Sequence, residues 1–111
     1  MRKAKIYYNK SLAGILTETY EGDYTFKYDE NYINLHPNQF ITFSMPVRKE
    51  PYIDNRLFSF FEGLIPEGWL LDIASKNWKI NPNDRMGLLL ACCANCIGAV
   101  SVEPLTEQEN E

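Results

Sequence analysis

Leu57-Phe58-Ser59-Phe60-Phe61-Glu62-Gly63-Leu64-Ile65-Pro66-Glu67-Gly68-Trp69 is the stretch whose reading decides the fold. Leu57, Phe60, Phe61 and Leu64 follow the i, i+3, i+4, i+7 spacing that puts apolar side chains on one helical face. Gly63 interrupts that helix. Pro66 suits the first turn of a second one, where its missing N–H leaves no bond unmade. The spacing predicts two short helices meeting at a tight corner, with Trp69 just past it. Asp54 or Asn55 is placed to cap the first helix, and the second is expected to reach about Asn77.

Working outward, Asn81-Pro82-Asn83-Asp84 opens a third helix, in which Met86, Leu89, Leu90 and Cys93 repeat the same apolar face. Gly98 ends it, and residues 99–102 read as a strand returning to a sheet. Upstream the pattern is β. Residues 4–8 and 12–17 flank Asn9-Lys10-Ser11, a hairpin turn. Tyr24, Phe26 and Tyr28 alternate with Thr25 and Lys27, the period-2 signature of a half-buried strand; Asp29-Glu30-Asn31 then breaks the pattern. Residues 40–45 alternate again, with Ile41, Phe43 and Met45 on one face. Pro46 and Pro51 bracket a loop expected at the sheet edge. The predicted order is β-β-β-β-α-α-α-β. This is an α+β domain: a mostly antiparallel sheet, three clustered helices and a C-terminal return strand. Residues 1–104 form the domain, and the glutamate-rich residues 105–111 are expected to be a flexible acidic tail.

Composition narrows the function. The chain has 111 residues, 45% of them apolar and 23% charged, which is ordinary for a soluble globular protein. No apolar run approaches the roughly 18 residues a membrane span needs. Met1-Arg2-Lys3-Ala4-Lys5 is basic but leads into an alternating strand, not a signal-peptide core. A cytoplasmic protein without a membrane partner is expected. The net charge is −4 and the lysines and arginines are scattered, so direct nucleic-acid binding is not expected. Cys92, Cys93 and Cys96 with the single His36 make a poor zinc set. Cys93-Ala94-Asn95-Cys96 matches C-x-x-C but closes a helix, whereas redox pairs of this kind open one, where the helix N-terminus lowers the thiol pKa. Buried thiols are the reading. His36, ahead of Pro37 in a polar loop, reads as solvated.

The constellations an enzyme needs are missing. No glycine-rich loop precedes a Lys-Ser/Thr pair, and no serine sits in a G-x-S-x-G turn. The acids sit mostly at turns and helix starts, where they cap backbone N–H groups. No catalytic, cofactor or metal residues are therefore assigned. Trp69 stands apart. Advancing about 100° per residue from Pro66 gives the second helix an apolar arc about 200° wide, more than one core contact covers. Trp69 and Leu71 are the edges of that arc, and a large aromatic at such a rim is a common binding anchor.

Six pieces of the chain, in order, resemble the N-terminal subdomain of the HipA family of bacterial toxin kinases. They are I-Y-Y-N-K-S-L-A-G-I-L from Ile6, Y-T-F-K-Y-D from Tyr24, S-M-P-V-R-K-E-P-Y from Ser44, F-F-E-G-L-I-P-E-G-W from Phe60, N-P-N-D from Asn81 and C-I-G-A-V-S-V from Cys96. The likeness runs from about Lys3 to Glu103, with Cys92-Cys93-Ala94 standing where that family usually places glycine. In HipA-type kinases the nucleotide-binding lysine, catalytic aspartate and metal ligands lie beyond this subdomain, so the resemblance implies no kinase activity. A stand-alone copy is similar to the HipS components of HipBST toxin–antitoxin systems. There a shortened serine/threonine kinase toxin, HipT, lacks this subdomain, and the small protein binds back and neutralises it. The resemblance implies an antitoxin, monomeric when free, whose partner is a HipT-type kinase, within a larger complex that includes a HipB-like DNA-binding protein. It places the partner-binding residues at Pro66, Glu67, Gly68 and Trp69. The alternative is a regulatory N-terminal fragment of a full-length HipA-type kinase. Met1 and the trailing Thr106-Glu107-Gln108-Glu109-Asn110-Glu111 fit an independent gene better than a fragment.

Overall fold

In the computed structural model, which describes residues 2–65, 83–92 and 99–105, Asn9 and Lys10 both take positive φ, 49° and 72°. Two such residues in a row make the tight turn whose twist matches paired antiparallel strands. They join β1 (Arg2–Tyr8) to β2 (Ser11–Glu18). Tyr8 faces Ser11 and Tyr7 faces Leu12, but Ile6 faces Gly14, so Ala13 is the extra residue of a bulge. The bulge carbonyl is put to use: Ala13 O accepts from Asp29 N at 2.7 Å. β3 (Tyr24–Tyr28) adds to β2, β4 (Tyr52–Asp54) to β3, and β5 (Val100–Leu105) to the far side of β1. Every pairing is antiparallel and the strand order is β4-β3-β2-β1-β5. With α1 (Glu30–Leu35), α2 (Ser59–Glu62) and α3 (Arg85–Cys92), the fold is α+β with a C-terminal return strand, as the sequence predicts.

Period-2 alternation sends Ala4, Ile6, Leu16, Phe26, Tyr28, Val100 and Val102 to one face, where all are buried. Onto this face pack Phe61 of α2 and Met86, Leu88 and Leu89 of α3. Burying a side chain of this size contributes about 1.5–3 kcal/mol. Phe26 is the hinge of the packing: its ring lies edge-on to Tyr28 at 4.9 Å and 5.7 Å from Phe61. It also crosses Gly14, where an added Cβ would stand 2.4 Å from Lys27 O and 2.8 Å from the Phe26 ring. Only glycine fits there.

Several local expectations are corrected. Residues 40–45 are a loop, not a strand. Ile41 and Met45 are buried, whereas Phe43 is 89% exposed, so the three do not share a face. The fourth strand is Tyr52–Asp54, after the proline-bracketed loop. Asp29 does not simply end β3; its carboxylate accepts from Asn31 N at 3.1 Å and Tyr32 N at 3.3 Å, capping α1. Aspartate serves turns and helix caps alike, which is why the sequence left this open as a break. His36 is half-buried at the end of α1: its backbone N–H donates to Tyr32 O at 2.7 Å and its ring lies 5.0 Å from the Tyr32 ring. Asp54 and Asn55 do not cap α2, because Asp54 belongs to β4; Phe58 holds the cap position without a side-chain bond. The helix expected over 66–77 lies outside the described residues.

Candidate partner-binding surface

The corner begins at α2. Leu57 and Phe61 are buried and Phe60 and Leu64 packed against the core, so the predicted apolar face is real, though regular helix covers only Ser59–Glu62. Hydrogen bonds then tighten: Gly63 N donates to Ser59 O at 3.0 Å, but Leu64 N donates to Phe61 O and Ile65 N to Glu62 O, three residues back. Gly63 itself has ordinary right-handed φ and ψ, −67° and −15°. The helix therefore ends by tightening into three-residue turns ahead of Pro66, which disfavours α geometry in the residue before it, and not through any freedom special to Gly63. Ile65 is seated in the core at 2% exposure. The predicted site residues Pro66, Glu67, Gly68 and Trp69 follow it directly and lie outside the described residues.

Two sets of ion pairs fix the surroundings. Arg85 at the start of α3 reaches Glu62 at the end of α2, with Nε–Oε1 and Nη2–Oε1 both at 2.6 Å. The Arg2 guanidinium on β1 binds Glu18 at 2.7 and 2.9 Å and Asp84 at 2.9 and 2.8 Å. Asp84 also accepts from Gly87 N at 3.2 Å, so it caps α3 while tying it to the sheet. The hydrogen bonds from Arg2 hold both carboxyls below their usual range. Tyr24, which donates to Glu18 at 2.9 Å, is pushed up to about 12 by burial and by that carboxylate.

Beside α2 runs a groove of about 370 Å³ whose walls include Ser44, Met45, Tyr52, Ile53, Phe58 and Phe60. Three tyrosine hydroxyls hold the loop that forms one wall. Tyr28 accepts from Ile41 N at 3.1 Å and donates to Met45 O. Tyr32 donates to Gln39 O at 2.6 Å, and Tyr52 donates to Pro46 O at 2.5 Å beneath the Arg48 guanidinium, 3.8 Å from its ring. Sequence reading placed Tyr28 on a strand face but gave Tyr32 and Tyr52 no element, and none of the hydroxyl partners was legible because tertiary placement sets them. The arrangement presents surface for contact. Among the described residues, no three His, Cys, Asp or Glu side chains are placed to hold a metal ion. Cys92 closes α3, while Cys93 and Cys96 lie outside the described residues.

The sheet order and the helices packed on its buried face define an α+β domain. Residues 4–103 match the family described as the HipA N-terminal domain. The chain belongs to that family, and the matched domain is a non-catalytic one. An uncharacterized Haemophilus influenzae protein is 28% identical over 103 residues, spanning 93% of this chain and 92% of that protein. A Sinorhizobium fredii protein named "Putative kinase Y4mE" is 23% identical over 111 residues; the match takes in all of this chain but 26% of that one. The solved N-terminal domain of HipA toxin superposes with a TM-score of 0.71 at 25% identity, covering 97% of this chain and 96% of that one.

Proposed function

We propose that this protein is an antitoxin that binds and neutralises a HipT-type serine/threonine kinase toxin, docking near its active site and performing no chemistry itself. The observation that carries the reading is coverage: the HipA N-terminal domain accounts for residues 4–103, and the match to the Haemophilus relative spans 92% of that protein's length. A domain that kinases of this family carry in cis then acts in trans. Pro66, Glu67, Gly68 and Trp69 are the contact residues, following the core-seated Ile65, with Trp69 as anchor. The setting is the cytoplasm, and a HipB-like DNA-binding protein joins the larger complex.

The test is co-expression with the cognate kinase. The wild-type chain restores growth and Trp69→Ala does not, while isolated Trp69→Ala keeps a cooperative melt. A centrally buried tryptophan is worth about 2 kcal/mol or more on truncation, or at least about 30-fold in affinity. Full protection by Trp69→Ala refutes the anchor, and loss of the melt makes Trp69 a core residue. A second reading, a regulatory N-terminal portion of a longer HipA-type kinase, is favoured by the match to 26% of the Sinorhizobium protein. A neighbouring gene for a kinase lacking this domain decides for the antitoxin.

A further inference from the structure

Phe43 is 89% exposed, yet the backbone beneath it is held at both ends. Met45 N donates to Thr42 O at 3.1 Å, closing a turn around the residue. Ile41 and Met45 on either side are buried at 6% and 3%. The hydroxyl of Tyr28, itself 1% exposed, takes the Ile41 N–H at 3.1 Å and gives its proton to Met45 O, so one buried atom fixes both feet of the turn. Phe40 lies against Phe43 at 5.1 Å. Folding gains little from a ring left in water. A rigid, exposed aromatic loses little entropy when something covers it, which is the property of a preorganised anchor.

Two further observations say what covers it. No Asp, Glu, Lys or Arg occurs between Glu30 and Arg48, in a chain that is 23% charged. Charge depletion with Phe, Tyr and Met enrichment marks the centre of a protein–protein contact. The turn is also continuous with the α2 surface: Ser44 and Met45 line the same groove as Phe58 and Phe60, on the helix that leads to Pro66.

We propose that the 41–45 turn is a second anchor for the kinase, with Phe43 entering an apolar pocket rimmed by uncharged hydrogen-bonding groups. The inference rests on the antitoxin reading and deepens it by adding a described surface to the Pro66–Trp69 corner. Titration calorimetry of the purified kinase with wild type, Phe43→Ser and Phe43→Tyr tests it, alongside thermal melts and sedimentation of each free chain. Phe43→Ser should bind about 30-fold more weakly with its melt unchanged, and Phe43→Tyr should retain most of the affinity. Equal affinity of Phe43→Ser and wild type overturns the proposal. So does a concentration-dependent dimer of the free chain that Phe43→Ser abolishes without touching kinase affinity, since the ring would then serve a second copy. Wild type that does not bind the kinase at all fails the antitoxin reading itself, and the second anchor with it.

Discussion

Replacing Tyr28 by Phe removes one oxygen and strands two buried backbone groups. The ring stays in the core, edge-on to Phe26, but Met45 O loses its donor and Ile41 N its acceptor. Ile41 and Met45 are 6% and 3% exposed, so water has little access to replace the hydroxyl. An unpaired buried group costs about 1–3 kcal/mol, which for two groups puts the change at about 2–6 kcal/mol against a total stability on the order of 5–15 kcal/mol. Urea unfolding should show a lower midpoint with an unchanged slope, and the Ile41 amide should lose most of its protection from hydrogen exchange. A stability within about 0.5 kcal/mol of wild type, the range of ordinary surface changes, together with a still-protected Ile41 amide, refutes the clamp. The alkaline limb gives a second reading of the same group. Burial lifts the folded-state Tyr28 phenol to about 12, against about 10 when unfolded. The unfolded chain therefore loses its proton first: stability is full below about pH 10 and is lost as pH climbs toward 12. In Tyr28→Phe that limb should be shallower, leaving the shares due to Tyr24 and Tyr32, whose phenols burial also raises.

Two glycines should respond oppositely to alanine: Gly14→Ala drives a Cβ to 2.4 Å from Lys27 O and should cost several kcal/mol, whereas Gly63→Ala meets nothing closer than 3.5 Å and should be neutral or gain up to about 1 kcal/mol; comparable melts for the two variants would contradict the packing described. Arg2→Met should flatten the acid limb. Hydrogen bonds from Arg2 lower the Glu18 and Asp84 pKa values, so their stabilisation is present above about pH 4 and lost as pH falls further; with Arg2 and Asp84 side chains 40% and 37% exposed, the loss at pH 7 should be about 1 kcal/mol or less, and an unchanged acid limb in urea titrations would sink the assignment.

What the sequence carried was the periodic part. β1, β3 and β5 alternate because one face is buried, β2 is interrupted by its bulge at Ala13, and α3 shows its face because Met86 and Leu89 are buried in the core. The 40–45 stretch alternates just as well and is no strand. Its pattern comes from Ile41 and Met45 anchoring a turn while Phe43 points to water, which period-2 reasoning cannot distinguish from a pleat. α1 was hidden because its six residues bury only Tyr32, with Ile33 partly covered beside it, too few to show a helical period. β4, at three residues, is too short to show a period at all. The resemblance at Phe60–Trp69 pointed to α2 and the corner after it, where Pro66–Trp69 lie outside the described residues, and gave no sign of the groove beside α2. Phe43 carried no such signal beyond the charge-free run around it.

Lys3 faces Leu105 across the β1–β5 ladder, so the backbone enters and leaves this fold at one place, with Cα atoms about 5 Å apart. At the same end of the sheet, just past Glu18 where it faces Arg2, the exposed Tyr20 before Gly22 with its φ of 91° sits in an ordinary surface bend. A unit wired in this way behaves as a cassette. It can be spliced into a longer polypeptide through a single seam, or joined end to end and reopened at the Tyr20 bend, without moving a strand. Evolution could thus transfer such a module between cis and trans arrangements by a change at the seam alone.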